Sequence, residues 1–105
     1  MKTLLIIDIE EICEMLSEEI ALLGDFKIVA KHSTDSAEEY LATNRPDFII
    51  CENYSFRISS DIPTVFYTGD SFANPKENLF YKPTETHILI NFLLRKENIT
   101  SSSSS

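Results

Sequence analysis

The sequence has few of the residues from which several common kinds of site are built. Its 105 residues include two glycines, two cysteines and no tryptophan. Gly24 and Gly69 stand alone, which excludes the glycine-rich loops that cradle nucleotide phosphates. Cys13 and Cys51 are too few for a disulfide framework, and their apolar neighbours predict buried thiols in a reducing cytoplasm. No apolar run exceeds four residues, whereas a membrane-spanning helix needs about 18, so no membrane segment is predicted.

Basic residues are also scarce. Nine Lys and Arg stand against 17 Asp and Glu, which leaves a formal net charge of −8. Contacts to phosphate groups need clustered cations, so this balance argues against nucleic acid or an anionic membrane as the main partner. With 43% hydrophobic and 25% charged residues, the composition is typical of one globular domain.

Segments with the apolar pattern of a β-strand alternate along the chain with segments whose apolar residues have helical spacing. The apolar run Thr3–Ile7 is typical of a strand that is covered on both faces, and Ile12, Leu16 and Ile20 then recur at helical spacing. The predicted strands are Thr3–Ile7, Lys27–Ala30, Phe48–Cys51, Thr64–Tyr67 and Leu79–Tyr81. The predicted helices run from about Glu11 to Leu23, from Ser36 to Thr43 and from Glu85 to Glu97.

This order predicts an α/β fold with a mainly parallel, doubly wound sheet of five strands. Two connections are short, because only ten residues separate Glu52 from Pro63 and another ten separate Thr68 from Leu79. A helical crossover needs about 10–12 residues at the least, so we expect loops or single turns in both places. We predict one domain over residues 1–98 and a flexible, serine-rich tail or linker over 99–105.

Polar residues follow four of the predicted strands directly. They are Asp8, Glu52, Thr68 and Lys82. In a doubly wound sheet the functional groups gather at the carboxyl ends of the strands. We therefore expect two carboxylates, a hydroxyl and an amine to meet at one edge of the sheet.

Four segments together resemble the receiver domain of response regulators, the CheY-like family. They are Leu4–Asp8, Pro46–Glu52, Ile62–Gly69 and Lys82–Pro83. The resemblance spans Lys2 to about Glu97 and implies a flavodoxin-like, CheY-like fold whose third and fourth helices are shortened or missing. It makes Glu52 the equivalent of the phosphoacceptor and Asp8 part of the acidic pocket.

The sequence departs from the receiver pattern at the chemical positions. The family holds Mg²⁺ with two adjacent acids, but the residue after Asp8 is Ile9, and the family phosphorylates Asp where this chain has Glu52. The resemblance makes Thr68, Lys82 and Leu79 the switch equivalents, with Leu79 at the position of an aromatic residue. The longer side chain of Glu52 predicts a permanent ion pair with Lys82.

These departures favour a degenerate receiver, a signalling module that binds protein partners without phosphorylation and is not an enzyme. The alternative is a phosphoacceptor receiver in which Asp8, Glu10 and Glu52 surround a divalent ion; a weak Mg²⁺ site on Asp8 and Glu52 belongs to this alternative. A small flavin- or nucleotide-binding enzyme is a third hypothesis. It is disfavoured because carboxylates follow the first strand, where they would repel phosphate.

Two apolar features raise the question of a partner surface. The last predicted helix is apolar over most of its circumference, so either a neighbouring loop covers the remainder or the helix contacts a second subunit. The resemblance to receivers, which often pair through this part of the fold, favours a homodimer through Ile90, Leu93 and Leu94. The short connections carry aromatic residues, namely Tyr54, Phe56 and Phe72. These rings either fold back over the sheet or border an exposed patch for another protein.

Overall fold

The computed structural model describes residues 1–58 and 61–103. Within this part of the chain there are five strands and three helices, and no helix separates the last three strands. The strands are β1 (Lys2–Ile7), β2 (Phe26–Lys31), β3 (Phe48–Cys51), β4 (Thr64–Thr68) and β5 (Leu79–Tyr81), and the helices are α1 (Glu10–Ala21), α2 (Thr34–Thr43) and α3 (Thr86–Ser103). None of the described helices has the length and apolarity that crossing a membrane requires.

All strand pairs are parallel, and the strand order is β2-β1-β3-β4-β5. The connections leave β1 toward one side and β3 toward the other, so the order reverses between these two strands. The carboxyl ends of β1 and β3 border the crevice where doubly wound sheets place their ligands. The predicted five-stranded parallel fold with reduced helices is therefore confirmed.

Each sheet face has its own hydrophobic cluster. Leu4 and Ile6 of β1 point to the face that α1 and α3 cover, where they pack with Leu16, Leu89 and Leu93. The alternating side chains of β1 enter the second cluster, whose buried members are Leu5, Ile7, Ala37, Ile49, Cys51 and Ile62. Because β1 and β3 are buried on both faces, their sequences read as continuous apolar runs.

The second face has one helix, α2, and the rest of its cover comes from the connections. Phe56 and Ile58 of the β3–β4 connection pack against the second cluster, together with Phe66 of β4. Tyr54 donates a hydrogen bond to Asp70 over 2.7 Å. Phe72, in contrast, is 92% exposed. Of these two rings, Phe56 therefore folds back over the sheet and Phe72 does not.

Helix α3 differs from its prediction in two ways. Ile90 and Leu93 are buried in the core of the chain itself, so the structure contradicts their assignment as dimer-interface residues; Leu94 is 37% exposed. Ile88 is also exposed, but it lies six residues before Leu94, roughly 120° away around the helix, so the two form no stripe. The apolar face of α3 is wider than contact with the sheet alone requires because α3 also packs against α1, where Thr86 at its amino end donates a hydrogen bond to Glu19.

The helix also continues past Glu97 to Ser103. No glycine or proline follows Glu97 to end it. The predicted serine-rich tail, residues 99–105, thus begins inside α3, and residues 104–105 lie outside the described residues.

Candidate functional site

The register of the sheet brings three polar residues level at its carboxyl edge. The last residue of β1, Ile7, is paired with the last residues of both β2 and β3. The residues that follow these three strand ends are Asp8, His32 and Glu52. Together with Lys82, which follows β5, they line a cavity of about 350 Å³. The predicted convergence of Asp8, Glu52 and Lys82 on this edge is therefore observed.

Both carboxylate oxygens of Asp8 already have donors. Oδ2 accepts a hydrogen bond from Lys82 Nζ at 2.8 Å, and Oδ1 accepts the backbone N–H of Ile9 at 2.7 Å. The Asp8 side chain is 3% exposed, and that of Lys82 is 21% exposed. A buried carboxylate is costly unless it is paired and hydrogen-bonded, and this one is both.

The Lys82 amine is held in place from several directions. Its backbone N–H donates to the Thr68 carbonyl at 2.8 Å, which extends the β4–β5 ladder by one residue. Its Nζ lies 5.4 Å from the centroid of the Tyr67 ring, over the ring face. The Tyr67 hydroxyl in turn accepts the Thr84 N–H and donates to the Thr84 carbonyl. Lys82 is therefore fixed between a carboxylate and an aromatic ring, both of which attract its positive charge.

The predicted ion pair between Glu52 and Lys82 does not form. Glu52 is exposed, and its side chain makes no hydrogen bond or ion pair with any described residue. Its backbone N–H continues the β1–β3 ladder to Ile7. Asp8 pairs with Lys82 instead because its carboxylate is buried and needs a counter-ion, whereas water solvates Glu52.

The residues do not fit a magnesium ion. Mg²⁺ requires a near-octahedral set of oxygen ligands, but Asp8 is occupied by two donors and Ile9 is apolar. Glu10 begins α1 and faces the groove toward β2, apart from the cavity that contains Asp8 and Glu52. Among the described residues, no three His, Cys, Asp or Glu side chains are grouped for a metal. The hypothesis of a Mg²⁺ site built from Asp8, Glu10 and Glu52 is wrong in this geometry.

Two of the switch equivalents lie away from this cavity. Thr68 is fully buried at the end of β4, and its hydroxyl accepts the backbone N–H of Asp70 at 3.0 Å. Leu79 is buried at the beginning of β5, where it is paired with Phe66. Neither side chain lines the cavity with Asp8 and Glu52.

The sequence reasoning missed His32. The rule of polar residues at strand ends did not select it, because the predicted second strand ended at Ala30, whereas the observed β2 ends at Lys31 and His32 follows it directly. Its Nδ1 donates to the Asp8 carbonyl at 3.1 Å. Cys13 Sγ lies 3.5 Å from the same carbonyl and 3.9 Å from His32 Nδ1. The backbone of Asp8 is thus held from the β2 side as its side chain is held from the β5 side.

The two thiols are unsuited to nucleophilic chemistry. Burial raises the pKa of Cys51 to about 12 and also raises the pKa of Cys13. The thiolate is the nucleophilic form, so a raised pKa makes both groups inert near neutral pH. The prediction that both cysteines are buried is confirmed.

Comparison with known proteins gives matches in structure. Neither a family model nor a curated protein matches the chain in sequence. The N-terminal domain of a response regulator/sensory box/GGDEF protein from Carboxydothermus hydrogenoformans superposes with a TM-score of 0.76 at 14% identity, over 100% of both chains. The chain has the fold of a response-regulator receiver domain.

Two further solved structures share this receiver fold. A candidate response regulator from Chloroflexus aurantiacus has a TM-score of 0.70 and 24% identity over 95% of this chain and 98% of its own. The response regulator PhyR from Brucella abortus has a TM-score of 0.65 and 18% identity, and the match covers 98% of this chain and 50% of PhyR. All three are described as response regulators or as a domain of a protein that contains one.

Proposed function

We propose that this chain is a degenerate receiver domain, a signalling module that binds protein partners without phosphorylation at its acidic site. The observation that carries the proposal is the Asp8–Lys82 ion pair, with Oδ2 of Asp8 bound to Lys82 and Oδ1 bound to the N–H of Ile9. This pairing neutralises the carboxylate that a receiver would offer to its metal. Phosphoryl transfer depends on such metal neutralisation and on positioning.

Two side chains support the proposal further. Ile9 stands in the position of the second metal-binding acid and is 57% exposed, so it brings apolar surface to the rim of the site. Glu52 stands in the position of the phosphoacceptor and points to solvent, without contact to the Lys82 amine. Because Ile9 replaces an acid and the Lys82 amine is bound to Asp8, neither side chain is placed to support phosphoryl transfer to Glu52.

The likeness to response regulators in fold supports a role in signalling, and the abundance of acidic residues supports a protein partner over a nucleic acid. The cytoplasm is the proposed location, in keeping with two free thiols. A homodimer through α3 stays a prediction. Of the three residues named for it, only Leu94 is exposed at the surface of the described chain.

Beryllofluoride with Mg²⁺, followed by ¹⁹F NMR, tests the phosphorylation independence. We expect no bound fluoride resonance from the natural sequence. The double variant Ile9→Asp/Glu52→Asp is the matched positive control, because it restores both acids of the receiver pattern on exposed positions. A stoichiometric bound resonance from the natural sequence, abolished by Glu52→Gln, would establish the altered phosphoacceptor instead.

A further inference from the structure

A groove of about 650 Å³ lies between the two short connections, the amino ends of β4 and β5, and α3. Phe66 of β4 is half-buried on the side of the groove that belongs to the second sheet face, and Phe56 of the β3–β4 connection and Phe92 of α3 also line it. In a doubly wound sheet, helices normally cover such a face. The connections here close over Phe66 only in part, which leaves an apolar floor open to solvent.

Cations surround this apolar floor, although the chain is acidic. Arg57, Lys76 and Lys96 line the groove, so three of the nine basic residues meet there in a chain of net charge −8. Lys96 binds Glu77 at 2.5 Å and lies over the Phe92 ring. Arg57 and Lys76 are exposed and have no ion-pair partner among the described residues. Such an arrangement attracts a ligand that carries carboxylates beside apolar groups.

We propose that this groove binds an acidic amphipathic helix of another protein. The apolar stripe of that helix would lie on Phe56 and Phe66, and its flanking carboxylates would meet Arg57 and Lys76. Helices recognised in this way anchor through side chains at positions i, i+3 or i+4, and i+7. The inference rests on the proposed function only in that the domain acts by binding a protein.

A second copy of this chain is a poorer occupant than a separate partner. Its acidic helix, α1, already buries its apolar side chains Cys13, Leu16 and Ile20 in its own core. Two copies of net charge −8 also repel each other at low salt. An added β-strand is disfavoured as well, since Phe66 belongs to β4, which has a paired strand on each side.

The test uses a fluorescein-labelled helical peptide of about 16 residues, with leucines at i, i+3 or i+4, and i+7 and glutamates on both flanks. Binding to the full chain is measured by fluorescence anisotropy at low salt. The variant Arg57→Glu/Lys76→Glu should lower the affinity by about tenfold or more, since it replaces two attractions by two repulsions. The control Lys27→Glu/Arg95→Glu makes the same change in net charge on exposed residues outside the groove and should change the affinity less than threefold.

Far-UV circular dichroism checks that each variant is folded, and the single variant Arg57→Glu replaces the double variant if the double variant is not. Equal binding by the natural sequence and the groove variant would overturn the proposal. The absence of any binding at millimolar peptide would also overturn it. Tighter binding of a single-stranded oligonucleotide, or of the same peptide with lysine in place of glutamate, would overturn it as well. The peptide-binding measurement is then repeated with beryllofluoride and Mg²⁺. A change in peptide affinity under these conditions would count against the proposed phosphorylation independence and not against the proposed binding groove.

Discussion

Replacing Lys82 by methionine should destabilise the fold strongly, because it leaves the buried Asp8 carboxylate without its counter-ion. Methionine keeps an unbranched side chain and removes the charged amine that binds Asp8. Breaking a buried ion pair from one side typically costs about 3–5 kcal/mol. Since the Lys82 side chain is 21% exposed and water reaches part of the pair, we expect about 3 kcal/mol, at the lower end. For a domain of this length that corresponds to a fall in Tm of roughly 12–24 °C.

Urea denaturation followed by far-UV circular dichroism at pH 7 measures this loss. Lys27→Met is the matched control, because Lys27 is exposed on β2 and should change the free energy of unfolding by less than about 0.5 kcal/mol. Asp8→Asn/Lys82→Met should recover part of the loss, since the amide removes the unpaired charge and still accepts the Ile9 N–H.

Two results would refute the role given to the ion pair. One is a loss for Lys82→Met no larger than that for Lys27→Met, and the other is a double variant Asp8→Asn/Lys82→Met that is no more stable than Lys82→Met alone.

Three further predictions concern the core, the thiols and a helix cap. Leu93→Ala should cost about 2–5 kcal/mol in urea denaturation and Leu94→Ala under about 0.5 kcal/mol, because Leu93 is buried; equal losses would contradict the placement of α3. Iodoacetamide at pH 8 should leave Cys51 unmodified in the folded chain, since its pKa is raised to about 12, and label it in urea, as mass spectrometry would show. Ser33→Ala should cost about 1 kcal/mol, because the Ser33 side chain accepts the N–H of Ser36 at the start of α2; an unchanged midpoint in urea would contradict this cap.

The sheet was predictable because its signals are local. Strands buried on both faces read as apolar runs, as in Leu4–Ile7 and Phe48–Cys51, and both strands appear at those positions. The convergence of Asp8, Glu52 and Lys82 followed from topology alone, since parallel strands bring their carboxyl ends to one edge.

The details of the site were less predictable because they depend on burial. Side-chain length suggested that Glu52 would reach Lys82, but the need of a buried carboxylate for a partner selected Asp8. The same limit applies to α3, where the sequence indicated a wide apolar face but not that the core of the chain itself contains Ile90 and Leu93. A sequence pattern does not show which of several candidate partners lies close enough to a side chain to bind it or cover it.

The side-chain NMR signal of Lys82 tests the central claim most directly. Its ¹³Cε–¹H resonance, assigned through the variant Lys82→Met, reports whether the amine stays on Asp8. We predict the same chemical shift before and after addition of Mg²⁺ and beryllofluoride in excess. A saturable move of this resonance, together with shifts of the Asp8 and Glu52 amides, would show that the amine leaves Asp8 for a phosphoryl group and that the site still switches.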